Sequence, residues 1–288
     1  MESTVAGEYG WVFECWFVRR GGALRIGITG AQGLIGRLLL RHLSSLGQSV
    51  HVSAYSGNIL DAASVERWSW NFQPSIVFHL AAKVPSRIAD SEKDGVQTVN
   101  GKGPALFASA MTKASSTPDV RFIYVSTSHV YASSTKPISE DGLVDPLNFY
   151  GATKLEGEQR LQRLESEGDI RLVVMRLFSV YSEDQGPEYL YGSLRQRVKE
   201  SNVPQSISLP GWNNVRDFIH AAEAARIIRD LGLGSFEGVV NVGSGHGSSV
   251  KDFAEEQFKV QLLLSDLDKN VSPTNLVADV SLMHRLLG

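Results

Sequence analysis

The chain has 288 residues, 42% of them hydrophobic, enough for one large α/β domain or for a domain with a smaller lobe. Its 28 basic and 31 acidic residues are interspersed and give a net charge of −3, so no basic tract marks a nucleic-acid partner and no acidic tail marks disorder. One cysteine, Cys15, excludes an intrachain disulfide and fits a reducing cytoplasm.

Residues 11–18 are aromatic-rich, are interrupted by Glu14 and precede Arg19 and Arg20. That order is the reverse of a signal peptide, and the apolar run is too short to span a membrane. Residues 1–23 therefore read as an appended segment, with an extra edge strand or an oligomer contact as the other reading.

Residues 24–29 predict a buried strand that runs into a glycine turn, and 34–46 a helix with apolar residues at helical spacing, stopped at Gly47. A strand at 50–54, a helix at 62–72 and a strand at 75–79 follow. Residues 96–114 predict a mostly helical stretch in which Pro104 calls for a turn or kink. A strand at 121–125, a helix at 150–165 and a strand at 170–175 complete the series. This β–α alternation, with unbroken apolar strands, predicts a doubly wound parallel sheet of Rossmann type, mainly within 24–181. Beyond it the rhythm weakens. Gly, Pro, Asn and Ser are frequent between 182 and 214, and 182–288 is expected to form mainly a small C-terminal substrate lobe, with segments around 215–245 returning to the first domain. Residues 239–242 read as another strand, and Ser249 as the cap of the helix after it.

Two motifs carry chemistry. Thr29-Gly30-Ala31-Gln32-Gly33-Leu34-Ile35-Gly36 sits between the first strand and the first helix. Gly30 and Gly33 let the backbone turn tightly and approach a pyrophosphate, Gly36 permits close helix–strand contact, and the helix N-terminus offers free N–H groups. Dinucleotide folds that prefer NAD place an acid after the second strand, but here that strand ends Ala54-Tyr55-Ser56-Gly57. NADP(H) is the expected cofactor, with NAD(H) the second choice. The other motif, Tyr150-Gly-Ala-Thr-Lys154, sets a phenol and an ammonium one helical turn apart. A nearby cation lowers the phenol pKa of about 10, and such a tyrosine passes protons to or from a sugar hydroxyl or carbonyl.

Together these motifs resemble the extended short-chain dehydrogenase/reductase family, in particular its nucleotide-sugar epimerase, dehydratase and 4-ketoreductase branch, over roughly residues 24–288. The resemblance implies cofactor contacts from Gly30, Gln32, Gly33, Leu34 and Ile35, from Ser56, and from Asn58 and Ile59, where Asn replaces the family's Asp. It extends them to Leu80, Ala81, Ala82, Asn100, Phe178, Tyr150 and Lys154, although Asn100 also reads as an ordinary helix asparagine. Within Val125-Ser-Thr-Ser-His-Val-Tyr131 the family's hydroxyl falls on Thr127, whose neighbours Ser126 and Ser128 have the same chemistry. Thr127 would hydrogen-bond the substrate oxygen, Tyr150 would be the acid/base, and Lys154 its tuner and ribose ligand. Lys83, Thr127, Ser128, His129, Ser179 and Arg216 would contact substrate, Arg216 through the diphosphate or else paired with an acid such as Asp217. Residues 241–245 look like a second phosphate loop but read as structural, and 279–288 also resemble this branch.

His129 stands where related 4,6-dehydratases carry a glutamate, which disfavours dehydration. In fucose-synthase-like epimerase/reductases a cysteine there handles a proton, and a histidine suits that task; the other reading is that His129 lines the pocket or orders Thr127. The remaining histidines, His42, His51, His79, His220, His246 and His284, show no zinc spacing, and no Gly-x-Ser-x-Gly elbow occurs, so no metal is expected. The leading expectation is NADPH-dependent reduction of a nucleotide-linked 4-keto-6-deoxyhexose at C4. An NAD-dependent nucleotide-sugar 4-epimerase is the main alternative, and a non-catalytic regulatory subunit the distant one. The family also implies a homodimer through the helices at 96–114 and 150–165, in the cytoplasm.

Overall fold

The computed structural model describes residues 23–84, 89–115, 120–200, 206–207, 211–264 and 272–288. The segment assigned above as an appendage lies outside them except for its last residue, Ala23.

Among the described residues, six parallel strands form the central sheet in the order β2-β1-β3-β4-β5-β9. They are β1 (Leu24–Thr29), β2 (Val50–Tyr55), β3 (Ile76–His79), β4 (Val120–Thr127), β5 (Ile170–Leu177) and β9 (Gly238–Val242). Side chains alternate across this sheet with period two. Ile26, Ile28, Phe78, Ile123, Val173 and Met175 enter the core on one face. Val77, Phe122, Tyr124, Leu172 and Val174 enter the core on the other. The first face is covered by α1 (Leu34–Ser44) and α7 (Ala221–Leu233), whose Leu39, Leu43, Ile227, Ile228 and Leu231 are buried there. Helices α2 (Ala62–Phe72), α4 (Gly103–Ala114) and α5 (Phe149–Ser166) supply Val65, Phe107, Met111 and Leu161 to the second core. With both faces covered, unbroken apolar strands are what this architecture requires.

The predicted elements differ from the observed ones at informative places. Helix α1 ends at Ser44 rather than 46, because Leu46 N bonds to Leu43 O at 3.2 Å in a tighter turn that leads into Gly47 at φ +103°. The stretch expected at 96–114 is three pieces: α3 (Lys93–Gln97), a π-helical turn at Thr98–Lys102, and α4. Pro104 explains the break. It has no N–H to give Asn100 O, which lies 3.5 Å from the Tyr124 hydroxyl instead. Strand β4 runs on to Thr127 and β5 to Leu177, which brings Ser126 beside Arg176.

A second sheet is built around β8 (Val215–His220). Strand β6 (Ser179–Tyr181), one residue beyond β5, pairs in parallel with its C-terminal half. Strands β10 (Gly247–Ser249) and β12 (Asn275–Leu276) pair with its N-terminal half. Of the segments around 215–245, therefore, β9 joins the central sheet and β8 does not. Asp217 fastens this sheet: its buried carboxylate accepts from Ser244 N (2.7 Å), Ser244 Oγ (2.7 Å), Gly245 N (2.9 Å) and Ala278 N (3.1 Å). The turn at 241–245 that resembles a phosphate loop is thus filled by the chain's own anion. Helix α6 (Leu190–Glu200) and α8 (Val250–Phe258) pack beside this sheet, the latter capped by Ser249, whose Oγ accepts from Asp252 N at 3.0 Å. A short parallel pair, β7 (Ser206–Ile207) with β11 (Leu263–Leu264), and α9 (Ser281–Leu287) complete the described elements.

Candidate active site

Strand β1 lies where the strand order reverses, with β2 on one side and β3 on the other, and this switch point is where such sheets leave a crevice. The chain leaves β1 through Gly30 at φ +69°, where a Cβ would come within 2.7 Å of Ala81 N. A side chain at Gly36 would collide with the Gly30 carbonyl. Gly33 N donates to Gly30 O at 3.0 Å and Gly33 caps α1 without a side chain, so the first turn of the helix presents backbone donors to the crevice. Thr29 Oγ1 ties the next loop down. It accepts from Ala81 N at 3.2 Å and lies 3.1 Å from His79 Nδ1.

The opposite wall comes from β4 and α5. Of the three consecutive hydroxyls, Ser126 donates to Glu158, which is also gripped by Arg176 at 2.8 Å. All three residues line the cleft, but with the Ser126 hydroxyl engaged it is Thr127 and Ser128 that offer theirs, and Thr127 Oγ1 accepts from His129 N at 3.3 Å. Helix α5 starts at an Asn148 cap whose Oδ1 accepts from Gly151 N at 2.8 Å, and it sends Tyr150 and Lys154 into the same space. The Lys154 ammonium sits over the Tyr124 ring, 3.9 Å from its centre.

Burial decides the proton affinities. It brings Lys154 down to about 7, against the opposing pull of Glu158 one turn along. Burial, and then neighbouring Tyr189, push Tyr150 above the ordinary phenol value. The lowering of Tyr150 by Lys154 expected from sequence is therefore outweighed, and the phenol carries its proton at neutral pH. His129 is brought to about 4 by burial and by Arg216, so its ring is neutral there.

The cleft holds about 370 Å³. Gly30, Gly33, Leu34, Ile35, Leu80 and Ala82 line one side. Thr127, Ser128, His129, Tyr150 and Lys154 line the other, with Phe178 and Ser179 between. The other candidates do not line it. Gln32 is exposed and its carbonyl accepts from Arg37 at 2.8 Å. Ser56 is exposed, Asn58 folds back to accept from Leu60 N at 3.0 Å, and Ile59 is buried in the core beside Phe107. Ala81 packs against that core behind the glycine turn. Asn100 is fully buried and pins the Lys83 backbone from both ends of its amide, at 2.8 Å each, which leaves Lys83 itself exposed. Arg216 does not pair with Asp217. Its Nη1 donates to Thr274 O (2.6 Å) and Val215 O (2.8 Å), and its Nη2 to Thr274 Oγ1 (2.7 Å).

Val84, Gln185 and Tyr189 line the cleft without having been singled out from sequence. Gln185 and Tyr189 belong to an irregular stretch with no periodic pattern. Arg195, on α6, holds that stretch by donating to Glu183 O and, at 3.0 Å, to Gln185 O.

A glycine cradle at a switch point, faced by a Tyr/Lys pair on a neighbouring helix, defines a Rossmann-fold dinucleotide-binding protein of the short-chain dehydrogenase/reductase type. The sequence signature of the NAD dependent epimerase/dehydratase family matches residues 26–243, and the chain belongs to that family. Among curated relatives, the methionine adenosyltransferase 2 subunit beta of Bos taurus is 27% identical over 216 residues, 72% of this chain and 61% of that protein. The Xenopus tropicalis subunit is 31% identical over 157 residues, 51% of this chain and 46% of that protein. The chain thus spans about half to three-fifths of the length of these relatives. A dTDP-4-dehydrorhamnose reductase of Burkholderia thailandensis is 27% identical over 237 residues, 81% of this chain and 76% of that protein. Among solved structures, RMD from Pseudomonas aeruginosa complexed with NADPH superposes with a TM-score of 0.79 at 20% identity, covering 92% of each chain. The dTDP-4-dehydrorhamnose reductase of Bacillus anthracis in complex with NADP gives 0.75 at 20% identity, covering 91% of each. At these identities the structural likeness is one of fold.

Proposed function

We propose that the protein is an NADPH-dependent reductase of a nucleotide-linked 4-keto-6-deoxyhexose, acting at C4. The observation that carries this reading is that Tyr150 and Thr127 share the cleft onto which the glycine cradle opens. The cradle fits a dinucleotide: side chains at Gly30 and Gly36 would fill it, and the α1 N-terminus suits a pyrophosphate. When bound, the nicotinamide supplies a hydride to the carbonyl carbon. Thr127 hydrogen-bonds the carbonyl oxygen as negative charge develops, and Tyr150 hands it a proton. Lys154 would hold the nicotinamide ribose, and in its protonated form it places a positive charge near the phenol. A phenol that rests protonated is ready to act as an acid. The absence of a carboxylate at Tyr55, Ser56 and Gly57 leaves room for a 2′-phosphate, which supports NADPH.

A second reading, a non-catalytic subunit of a larger assembly, is favoured by the names of the methionine adenosyltransferase relatives. One experiment separates the two. Purified protein given NADPH and a dTDP-4-keto-6-deoxyhexose should consume reduced nicotinamide, and Tyr150→Phe should lower kcat/KM by about 10² to 10⁴ while still binding NADPH. Undiminished turnover by Tyr150→Phe removes Tyr150 from the acid role. NADPH binding with no turnover supports the subunit reading, and interconversion of UDP-glucose and UDP-galactose without net redox change supports the epimerase.

A further inference from the structure

His129 is held by a chain of hydrogen bonds that begins at the cap of α5. Asn148 Oδ1 accepts from Gly151 N at 2.8 Å, which fixes which end of the amide faces the helix. Were the amide reversed, two N–H donors would face each other and the cap would be lost. The Asn148 amide nitrogen is therefore the end that lies 2.9 Å from His129 Nδ1. An amide nitrogen only donates, so Nδ1 must accept and Nε2 must carry the ring proton. The backbone that carries the ring is fixed as well. Leu147 N donates to His129 O at 3.2 Å, and a Cβ at Gly151 would collide with that same oxygen, so the two segments are pressed together. The described residues give Nε2 no partner, and the ring lines the cleft beside Thr127 and Tyr150, 6.4 Å from the Tyr150 ring between centres.

We propose that His129 is a fixed hydrogen-bond donor to the sugar nucleotide, presenting Nε2–H to a sugar oxygen, and is not the base that moves a proton at a sugar carbon. The assignment rests on the reductase reading and narrows it. With Nδ1 occupied and Nε2 protonated, the neutral ring has no lone pair to offer the substrate, so abstraction at C3 or C5 has no base at this position. The ionisable groups that share the cleft with the ring or act on it are Tyr150 and Lys154 on α5, Tyr189, and Arg216 on β8, and none of them is a carboxylate that would charge it. Burial and Arg216 both favour the neutral form. Dehydration and C5 epimerisation are thereby set apart from simple carbonyl reduction, in which a sugar oxygen needs a donor.

The tautomer is measured directly. A long-range ¹H–¹⁵N spectrum at neutral pH should show one neutral Nε2–H ring that is missing from His129→Gln. Asn148→Asp should invert it, because aspartate caps a helix as well as asparagine but offers His129 only an acceptor. Turnover gives the second readout. Gln places an N–H close to the position of Nε2, so His129→Gln should keep at least about a tenth of kcat/KM, whereas His129→Phe should lose tenfold to a hundredfold. Asn148→Asp should gain a pH dependence. It is active at low pH, where the imidazolium still has Nε2–H, and loses about tenfold as rising pH removes that proton. Reaction in D₂O should place no deuterium on a sugar carbon. A charged or Nδ1–H ring in the wild-type spectrum, a His129→Gln variant as inactive as His129→Phe, or deuterium at C3 or C5 overturns the assignment. If the wild-type protein turns over no 4-keto sugar nucleotide, the reductase reading has failed; the spectrum then decides the tautomer, and binding of the sugar nucleotide that is kept by His129→Gln and weakened by His129→Phe upholds the donor, whereas equal binding by the two overturns it.

Discussion

The central sheet takes its first five strands from successive β–α units. The second sheet gathers residues 179–181, 215–220, 247–249 and 275–276 from across a hundred positions. The two are also held by different means. In the central sheet, two apolar cores on opposite faces do most of the holding, with a buried ion pair, Arg176–Glu158, at 2.8 Å behind the cleft. In the second sheet a single carboxylate on β8, Asp217, holds the turn that leads into β10 and the segment just past β12 through backbone and hydroxyl donors. Apolar periodicity builds a sheet from neighbours in sequence, while a buried polar hub builds one from distant short strands.

Breaking each hub tests that contrast. Glu158→Gln should have the larger effect, because it leaves Arg176 charged and buried, 6% exposed, with no compensating charge. The expected loss is about 3–5 kcal/mol in urea unfolding. Replacing both partners by apolar residues, as in Glu158→Leu with Arg176→Met, should recover much of it, since the fault is the orphaned charge. If the double variant is no better than Glu158→Gln, the pair itself is the source of stability.

Asp217→Ala comes next, at about 3 kcal/mol, because four donors, one buried and three part-buried, lose their acceptor together. Its effect should fall unevenly. Hydrogen exchange should rise at Ser244, Gly245 and Ala278 and stay near wild type on β1 and β4. Uniform loss of protection would mean that the two sheets unfold as one unit and that the contrast is only architectural.

The same contrast governs what was legible in sequence. The strands and most of the helices up to 177 follow from unbroken apolar runs and period-3.6 patterns, and the glycine loop and the Tyr150/Lys154 pair follow from spacing. The second sheet was not readable: three-residue β6 and β10 and two-residue β12 are too short for any periodicity, and the bonds from Asp217 to Ser244, Gly245 and Ala278 join distant positions that a local pattern does not display. Gln185 and Tyr189 reach the cleft through Arg195, a contact between positions ten or more apart in a patternless stretch. Setting Ser126 apart from Thr127 and Ser128 needed the Glu158 carboxylate, which takes Ser126 into a structural bond. The Tyr150 proton affinity was misjudged because spacing shows the lysine but not the depth of burial.

The smallest effect separates the sheets by acid. His79, on β3, is fully buried among Phe107, Phe122 and Tyr124, and burial, aided by the Lys154 charge, holds its pKa at about 3. Between that value and the 6.5 of an unfolded histidine, the unfolded chain binds a proton at residue 79 that the folded chain does not. Stability therefore rises with pH across this window, and it falls on acidification from neutrality until the folded value is reached. From pH 7 to pH 5 this one group should remove about 2 kcal/mol. His129 acts in the same direction down to about 4. His79→Asn keeps a polar group near Thr29 Oγ1 and abolishes the titration, so the difference in urea stability between pH 7 and pH 5 should shrink by about that amount. The hydrogen-exchange signature should again be local, with acid loosening β3 and its neighbours while the amides around Asp217 stay protected. An unchanged pH difference in His79→Asn would place the acid sensitivity elsewhere, with His129 the next group to substitute.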